Sequence, residues 1–226
     1  MSNFLIHFWK KKTCGILKVM KKIILHLCAD TGSDSYPYSQ NPDYEVIRIG
    51  SDIGVENYHP PKDVYGVFAN PPCTNFSSVR TSAKIPRNEA EGMRLVKECQ
   101  RIIAECNPTF WVIENPATGL LKKYLGSPKF VYQPWEFGSP WSKKTALWGV
   151  FNAPQKIYKN WEDVPDKIPE LYIRPLREKP AMVYLHKSSK KFIREFDCFG
   201  KVNSDMEFRS LCSQKFAYEF FKVNCG

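Results

Sequence analysis

An α/β fold, with helices packed on the faces of a largely parallel sheet, is predicted by three features of this 226-residue chain. Short apolar runs rich in β-formers recur through its N-terminal two-thirds, each closed by Gly, Pro or Asn. A turn containing Gly32 follows the first run directly. Between two later runs, Met93, Val96, Cys99, Ile102 and Ile103 recur at helical spacing.

The elements follow in order. Residues 1–19 carry Lys10, Lys11, Lys12 and Lys18 with no acid and no small-residue cleavage site, so they read as a basic extension or a DNA-contacting arm. Ile23-Ile24-Leu25-His26-Leu27 is the first strand, and the turn after it, Cys28-Ala29-Asp30-Thr31-Gly32, is where a Rossmann-like sheet makes room for a nucleotide-like cofactor. Pro37 and Pro42 restrict the next helix to a turn or so. Glu45-Val46-Ile47-Arg48-Ile49 is the second strand, ending at Gly50, Asp52 and Ile53. Val67-Phe68-Ala69 and Phe110-Trp111-Val112-Ile113 are short buried strands. The helix between them starts at an Asn88 N-cap, with Glu91 three residues on, and stops at Asn107-Pro108. A short helix over 117–125, a strand over 130–135, an apolar strand after Lys144 and an amphipathic helix over 210–221 complete the prediction. Prolines 154, 165, 169, 175 and 180 forbid long regular elements between Asn152 and about Arg209.

Composition narrows the function. A net charge of +10 points to a polyanionic partner, DNA before membrane, because no apolar run approaches a bilayer-spanning length. Eight cysteines without a Cys-x-x-Cys pair, and histidines without ligand spacing, argue for reduced thiols in a cytoplasmic protein and against a metal site. Lys187, Lys190 and Lys191 form the densest basic run and are phosphate-binding candidates.

Two stretches carry chemistry. Asn70-Pro71-Pro72-Cys73-Thr74-Asn75-Phe76-Ser77 and Val112-Ile113-Glu114-Asn115-Pro116 each lie just past a strand, so a cysteine and a carboxylate are offered at one sheet edge. Both resemble motifs of the DNA cytosine-5 methyltransferases, the Pro-Pro-Cys nucleophile and the Glu-Asn pair, in the family's order and with a helix between them. The closest likeness is to small phage-type members with a reduced target-recognition region.

That resemblance implies a Rossmann-like, S-adenosylmethionine-dependent enzyme that flips a cytosine and methylates its C5 through a covalent adduct. Cys73 is then the nucleophile that adds to C6, with Arg80 and Arg87 as DNA contacts and as the local cations favouring its thiolate. Glu114 supplies the proton to N3, its pKa raised by burial, and Asn115 orients the loop. The implied cofactor site comprises Cys28, Ala29, Asp30 and Gly32 in the turn, Asp52 and Ile53 after the second strand, Asn70 and Pro71 beside the cysteine, and Ser213 at the last helix. Departures from the family are Asp30 where a glycine is usual, Gly50 where a ribose-holding acid is usual, and, in the basic motif, Lys144 with Ala146 in place of two arginines. Lys144 is taken as a catalytic cation and Lys143 as a DNA contact.

The implied organisation is a basic extension (1–19), a catalytic domain (20–151), a short basic recognition segment (152–209) and a helix closing the catalytic domain (210–226). A monomer in the cytoplasm, of the bacterial host if phage-encoded, is expected. The rival reading is a relative that kept the fold as a DNA-binding or decoy module, or that modifies pyrimidines of free nucleotides.

Overall fold

The computed structural model describes residues 20–77, 86–172 and 178–226. The basic extension 1–19 and Arg80 therefore lie outside the described residues. A six-stranded sheet runs through the molecule in the order β2-β1-β3-β4-β6-β5. Its strands are β1 (Lys22–Leu27), β2 (Tyr44–Ile49), β3 (Val64–Ala69), β4 (Phe110–Pro116), β5 (Phe130–Tyr132) and β6 (Thr145–Val150). The first four are parallel to one another, while β6 runs antiparallel to both β4 and β5. The chain goes from β1 to β2 on one side and returns to β3 on the other. In such a Rossmann-like sheet, ligands bind outside the carboxyl ends of the strands flanking that reversal.

Alternating side chains give the sheet two buried faces. On one, Leu25, Leu27, Val67, Ala69 and Ile113 pack against Val96, Cys99, Ile102 and Ile103 of α2 (Glu89–Cys106). On the other, Ile24, Phe68, Phe110, Val112 and Leu147 meet Phe216, Ala217 and Phe220 of α5 (Gln214–Asn224). Each large apolar side chain so buried contributes about 1.5–3 kcal/mol. Helix α2 has the predicted ends: the Asn88 side chain accepts from the Glu91 amide, and Asn107 takes a left-handed φ of 44°.

Some boundaries differ from the sequence reading. The helix after β1, α1, is a single turn over Tyr36–Ser39 with Pro37 inside it, as the prolines require. The short helix expected over 117–125 condenses to α3, Lys122–Leu125. Strand β5 stops at Tyr132 because Pro134 has no N–H to donate, and Pro134–Phe137 forms a 3₁₀ turn instead. The helix predicted over 210–221 starts only after Ser213, as α5, and Ser210 instead ends a separate short helix, α4 (Asp205–Ser210).

Residues 152–209 have short 3₁₀ turns in place of long elements, wrapped around their own core of Leu171, Met182, Leu185, Ile193 and Phe196 with Trp141. Glu195 fastens this segment to the sheet domain, accepting from Trp141 Nε1 (3.0 Å), Ser139 Oγ (3.0 Å) and the Gln214 amide (2.9 Å). The start of α5 closes against the first turn, where Ser33 Oγ accepts from the Cys212 amide and Ser33 O from Gln214 Nε2, each at 3.0 Å.

Candidate active site

The register of β3 against β4 pairs Ala69 with Ile113, so Asn70 and Glu114 emerge side by side at the carboxyl edge. Asn70 Nδ2 donates to Glu114 Oε2 at 3.4 Å. One residue further on, Asn115 is fully buried and its Nδ2 donates to the Pro71 carbonyl at 2.9 Å. This bond ties the Glu114 strand end to the cysteine loop.

Cys73 opens a 3₁₀ turn, Cys73–Asn75, whose shape is set by neighbours on α2. The Phe76 ring is buried against Gly92, where a Cβ would lie 2.8 Å from Phe76 Cζ; a larger residue there would displace the turn. The Asn75 side chain accepts from the Asn88 amide at 3.2 Å, and Phe76 O from the Leu120 amide at 2.8 Å. Cys73 itself stays exposed.

The electrostatics of the pair divide. Burial raises the Glu114 carboxyl from its ordinary 4.5 to about 7; Asp34 adds to the shift, while Lys143 and the Asn70 hydrogen bond oppose it. That is the direction expected of an acid that must be protonated near neutrality. Although the residue keeps contact with solvent, the protein atoms crowded around the Cys73 thiol desolvate it and, with the neighbouring Glu114, push its pKa up, while Lys143 and its own amide pull down. The expectation that local cations and amides make it a ready thiolate needs correction. The Phe76 and Ser77 amides donate to the Cys73 carbonyl, each at 2.8 Å, and Arg87 donates to the Ser77 carbonyl at 2.7 Å.

The cation that acts on both groups is Lys143, one of the two lysines of the basic motif. Its Nζ is anchored by the carbonyls of Ser210 (3.1 Å) and Leu211 (3.3 Å). Lys144, expected as the catalytic cation, is exposed, and its carbonyl accepts from the Ala117 amide at 2.9 Å. Ala146 is buried opposite Asn115 in the sheet, so the basic motif offers no second cation from that position.

The turn after β1 has the tightness a cofactor loop needs. Gly32 has φ +67°, and a Cβ on it would lie 2.7 Å from Arg48 Cδ. Cys28 is also left-handed, and the Ala29 amide donates to Ile49 O at 3.1 Å. Asp30 does not stand as a free carboxylate: its Oδ1 accepts from the Ser51 amide (2.9 Å) and Ser51 Oγ (3.2 Å), joining this turn to the one after β2. Asp52 folds back over Gly50, with Oδ1 only 2.9 Å from where a Cβ of residue 50 would sit. The carboxylate thus occupies the place from which a side chain at 50 would start. Ile53 beside it is 56% exposed, an apolar surface open to a ring.

Asp52 and Ile53, the residues expected at the ribose and adenine of S-adenosylmethionine, thus stand beside the first turn, and their carboxylate and apolar surface are compatible with those groups. Ser213, by contrast, is buried as the N-cap of α5, accepting from the Phe216 amide at 3.2 Å and lying 2.6 Å from Ser139 Oγ. Its hydroxyl is engaged within the fold. Among the described residues no group of His, Cys, Asp and Glu is placed to hold a metal ion, and no helix is long and apolar enough to cross a membrane.

The basic run lies on the 3₁₀ turn Lys187–Phe192. Lys187 Nζ donates to Asn203 O at 2.7 Å, Lys190 is half-buried and Lys191 is exposed. Two residues of the site escaped the sequence reading. His26 is a polar side chain in an otherwise apolar strand run, and Asp34 closely follows the glycine turn.

No family model matches the chain. Over 105 residues it is 32% identical to a "Probable DNA (cytosine-5)-methyltransferase" of Frog virus 3 (isolate Goorha), a match covering 39% of this chain and 47% of that protein. The chain thus spans about half the length of this curated relative. The relative bears the family name read from the Cys73 and Glu114 motifs. A prophage-encoded E. coli protein, assigned as a DNA modification methyltransferase, superposes with a TM-score of 0.41 and 14% identity over 72% of this chain and 53% of that one.

Proposed function

We propose that this chain, which resembles the DNA cytosine-5 methyltransferases in sequence and has a Rossmann-like sheet, methylates cytosine at C5 in DNA. The observation that carries the reading is the convergence of Cys73 and Glu114 at one sheet edge, with the Glu114 carboxyl held protonated up to about pH 7.

Cytosine C5 is a poor nucleophile until a thiolate adds to C6. In the proposed sequence Cys73 Sγ bonds to C6, the displaced electrons pass to N3, and N3 takes the proton of Glu114, leaving an enamine whose C5 carries the electron pair. S-adenosylmethionine, when bound, supplies the electrophilic methyl group that C5 attacks. Transfer of the C5 proton to water then expels Cys73 as thiolate, and Glu114 recovers its proton from N3. Lys143 offsets negative charge as the thiolate forms beside Glu114. The target base leaves its stack to reach Cys73, because stacking covers both faces of the ring.

On DNA carrying 5-fluorocytosine the final elimination is blocked, because fluorine cannot leave as a cation. With S-adenosylmethionine present, the native chain should accumulate a covalent protein–DNA complex and Cys73→Ala should not. Equal trapping by the mutant removes Cys73 as the nucleophile. Absence of S-adenosylhomocysteine binding in calorimetry, with DNA present, removes the methyltransferase reading altogether.

A further inference from the structure

A chain of buried polar groups runs behind the site, from the cofactor turn to the acid. His26, 1% exposed, points from β1 into an apolar face with its ring 5.7 Å from that of Phe68. Its Nε2 lies 2.9 Å from Asn70 Oδ1 and its Nδ1 lies 2.8 Å from the buried Ser35 Oγ. Ser35 Oγ in turn lies 3.3 Å from the Gly32 carbonyl. Asn70 Nδ2, at the other end, reaches Glu114 Oε2.

With the Asn70 amide set so that Nδ2 donates to Glu114, the donors and acceptors along the rest of this chain follow. An amide that donates from Nδ2 to Glu114 has only Oδ1 left for His26, so His26 Nε2 carries the hydrogen. Burial lowers the His26 pKa, Asp34 and Asn70 oppose this, and Arg48 reinforces it, so the ring is neutral. Nδ1 is then an acceptor, and the single Ser35 hydroxyl hydrogen goes to it at 2.8 Å in preference to the Gly32 carbonyl at 3.3 Å. Fixed by His26, Asn70 cannot turn its oxygen toward Glu114. Glu114 Oε2 is therefore an acceptor in this network, and the proton of the acid resides on Oε1.

We propose that His26 is a positioning residue: acting through Asn70, it determines which oxygen of Glu114 carries the proton delivered to the base. The assignment deepens the methyltransferase reading and rests on it for its catalytic meaning. A ring at 26 that cannot donate releases Asn70 to flip. Asn70 Oδ1 then accepts the acid proton and holds it away from substrate. Among the described residues, the charged and titratable groups facing this network are Asp34 and Arg48 at His26, and Lys143, Asp34, Cys73, Tyr132 and Cys212 at Glu114.

The test is a carbon-13 NMR titration of the full chain labelled at glutamate Cδ, with Glu114→Gln providing the assignment. In the native protein the Glu114 midpoint should lie near 7. His26→Phe should move it upward by roughly 1–2 pH units, the worth of one hydrogen bond to a carboxylate. His26→Gln, whose amide nitrogen still donates to Asn70, should restore it. Turnover should follow the same order, with kcat reduced in His26→Phe, KM little changed, and kcat recovered in His26→Gln. A folded His26→Phe with the native midpoint overturns the proposal. Should that variant fail to fold, Asn70→Leu at the sheet edge must give the same upward shift, and adding His26→Gln to it must change nothing further; an unmoved midpoint in Asn70→Leu is equally fatal. The titration needs no methyl transfer, so a chain lacking that activity would sink the proposed function while leaving these arms readable.

Discussion

Asn115 Nδ2 and the Pro71 carbonyl meet in a fully buried hydrogen bond of 2.9 Å, which couples the strand end carrying Glu114 to the loop carrying Cys73. The two chemical groups come from different strands, and this bond sets their mutual position. Asn115→Ala leaves the Pro71 carbonyl without its partner, a loss of about 1–3 kcal/mol in stability. Its effect on trapping should be larger, because the thiol and the acid then move independently. Trapping at the native rate by Asn115→Ala would mean that the loop is held by Phe76 and Asn75 alone.

Asp52 should respond as its sequence position suggests, and Asp30 should not. Asp52 takes up the space over Gly50, and a charge-assisted hydrogen bond to a ribose contributes about 1.5–3 kcal/mol, so Asp52→Ala should weaken S-adenosylhomocysteine binding at least ~10-fold. Asp30→Gly, which restores a family glycine, removes both bonds to Ser51 and frees the turn after β2. It should weaken binding as well. Calorimetric titration of the two variants decides, and tighter binding by Asp30→Gly would show its carboxylate to be merely repulsive.

The strands and α2 were legible because continuous β-former runs and a periodic apolar stripe are local signals, and Asn88 and Asn107-Pro108 mark the helix ends in the sequence itself. What could not be read is what the fold brings together from afar. Lys143 reaches Cys73 and Glu114 through a β-strand edge contributed much later in the chain. Ser51 satisfies Asp30 from the next turn, and Glu195 reaches back from the segment 152–209 to Ser139 and Trp141. The break at Ser213 was missed because a residue inside an amphipathic pattern can also be an N-cap. His26 was read as core, since burial alone does not distinguish a packed imidazole from one holding an amide in place.

Glu114 also costs the fold something above neutrality. Its folded pKa of about 7 exceeds the ordinary 4.5, so the folded state binds the extra proton between those values. The stabilisation from that proton is fully present below pH 4.5 and is lost as pH rises through about 7. Glu114→Gln, which cannot ionise, should therefore melt higher than the native chain at pH 8 and little differently at pH 4. An equal difference at both pH values would place the carboxyl in a solvated setting. The same variant should retain DNA binding and lose most turnover, because an amide cannot supply the proton.

DNA binding should be steeply salt-dependent and only weakly sequence-selective. The segment 152–209 is short and its basic turn exposes Lys191 and Arg194, which are suited to phosphates. Flipping a base out of an intact duplex costs a few kcal/mol, and this chain has little recognition surface to offset it. Single-stranded or mismatched DNA should thus outcompete duplex. Lys191→Glu should weaken binding uniformly across sequences, and Lys187→Ala should do less, since its ammonium is tied to Asn203. Sequence-selective, salt-insensitive binding in a fluorescence titration would contradict this.

The pH dependence of kcat/KM follows from the order in which the two site protons leave. Glu114 releases first, at about 7, and Cys73 later, since its thiol is pushed up. The reactive arrangement is the opposite one, with the proton on Glu114 and none on Cys73. It nevertheless contains the same number of protons as the dominant arrangement, so its population follows that of the singly protonated pair. Accordingly kcat/KM should climb to about pH 7, stay level above it, and fall only beyond the raised range of the thiol. Lys143→Met should move the acid limb to higher pH, because the lysine charge lowers the Glu114 pKa. A native profile that instead declines through neutrality would mean that Cys73 loses its proton before Glu114, reversing the order that burial imposes on the pair.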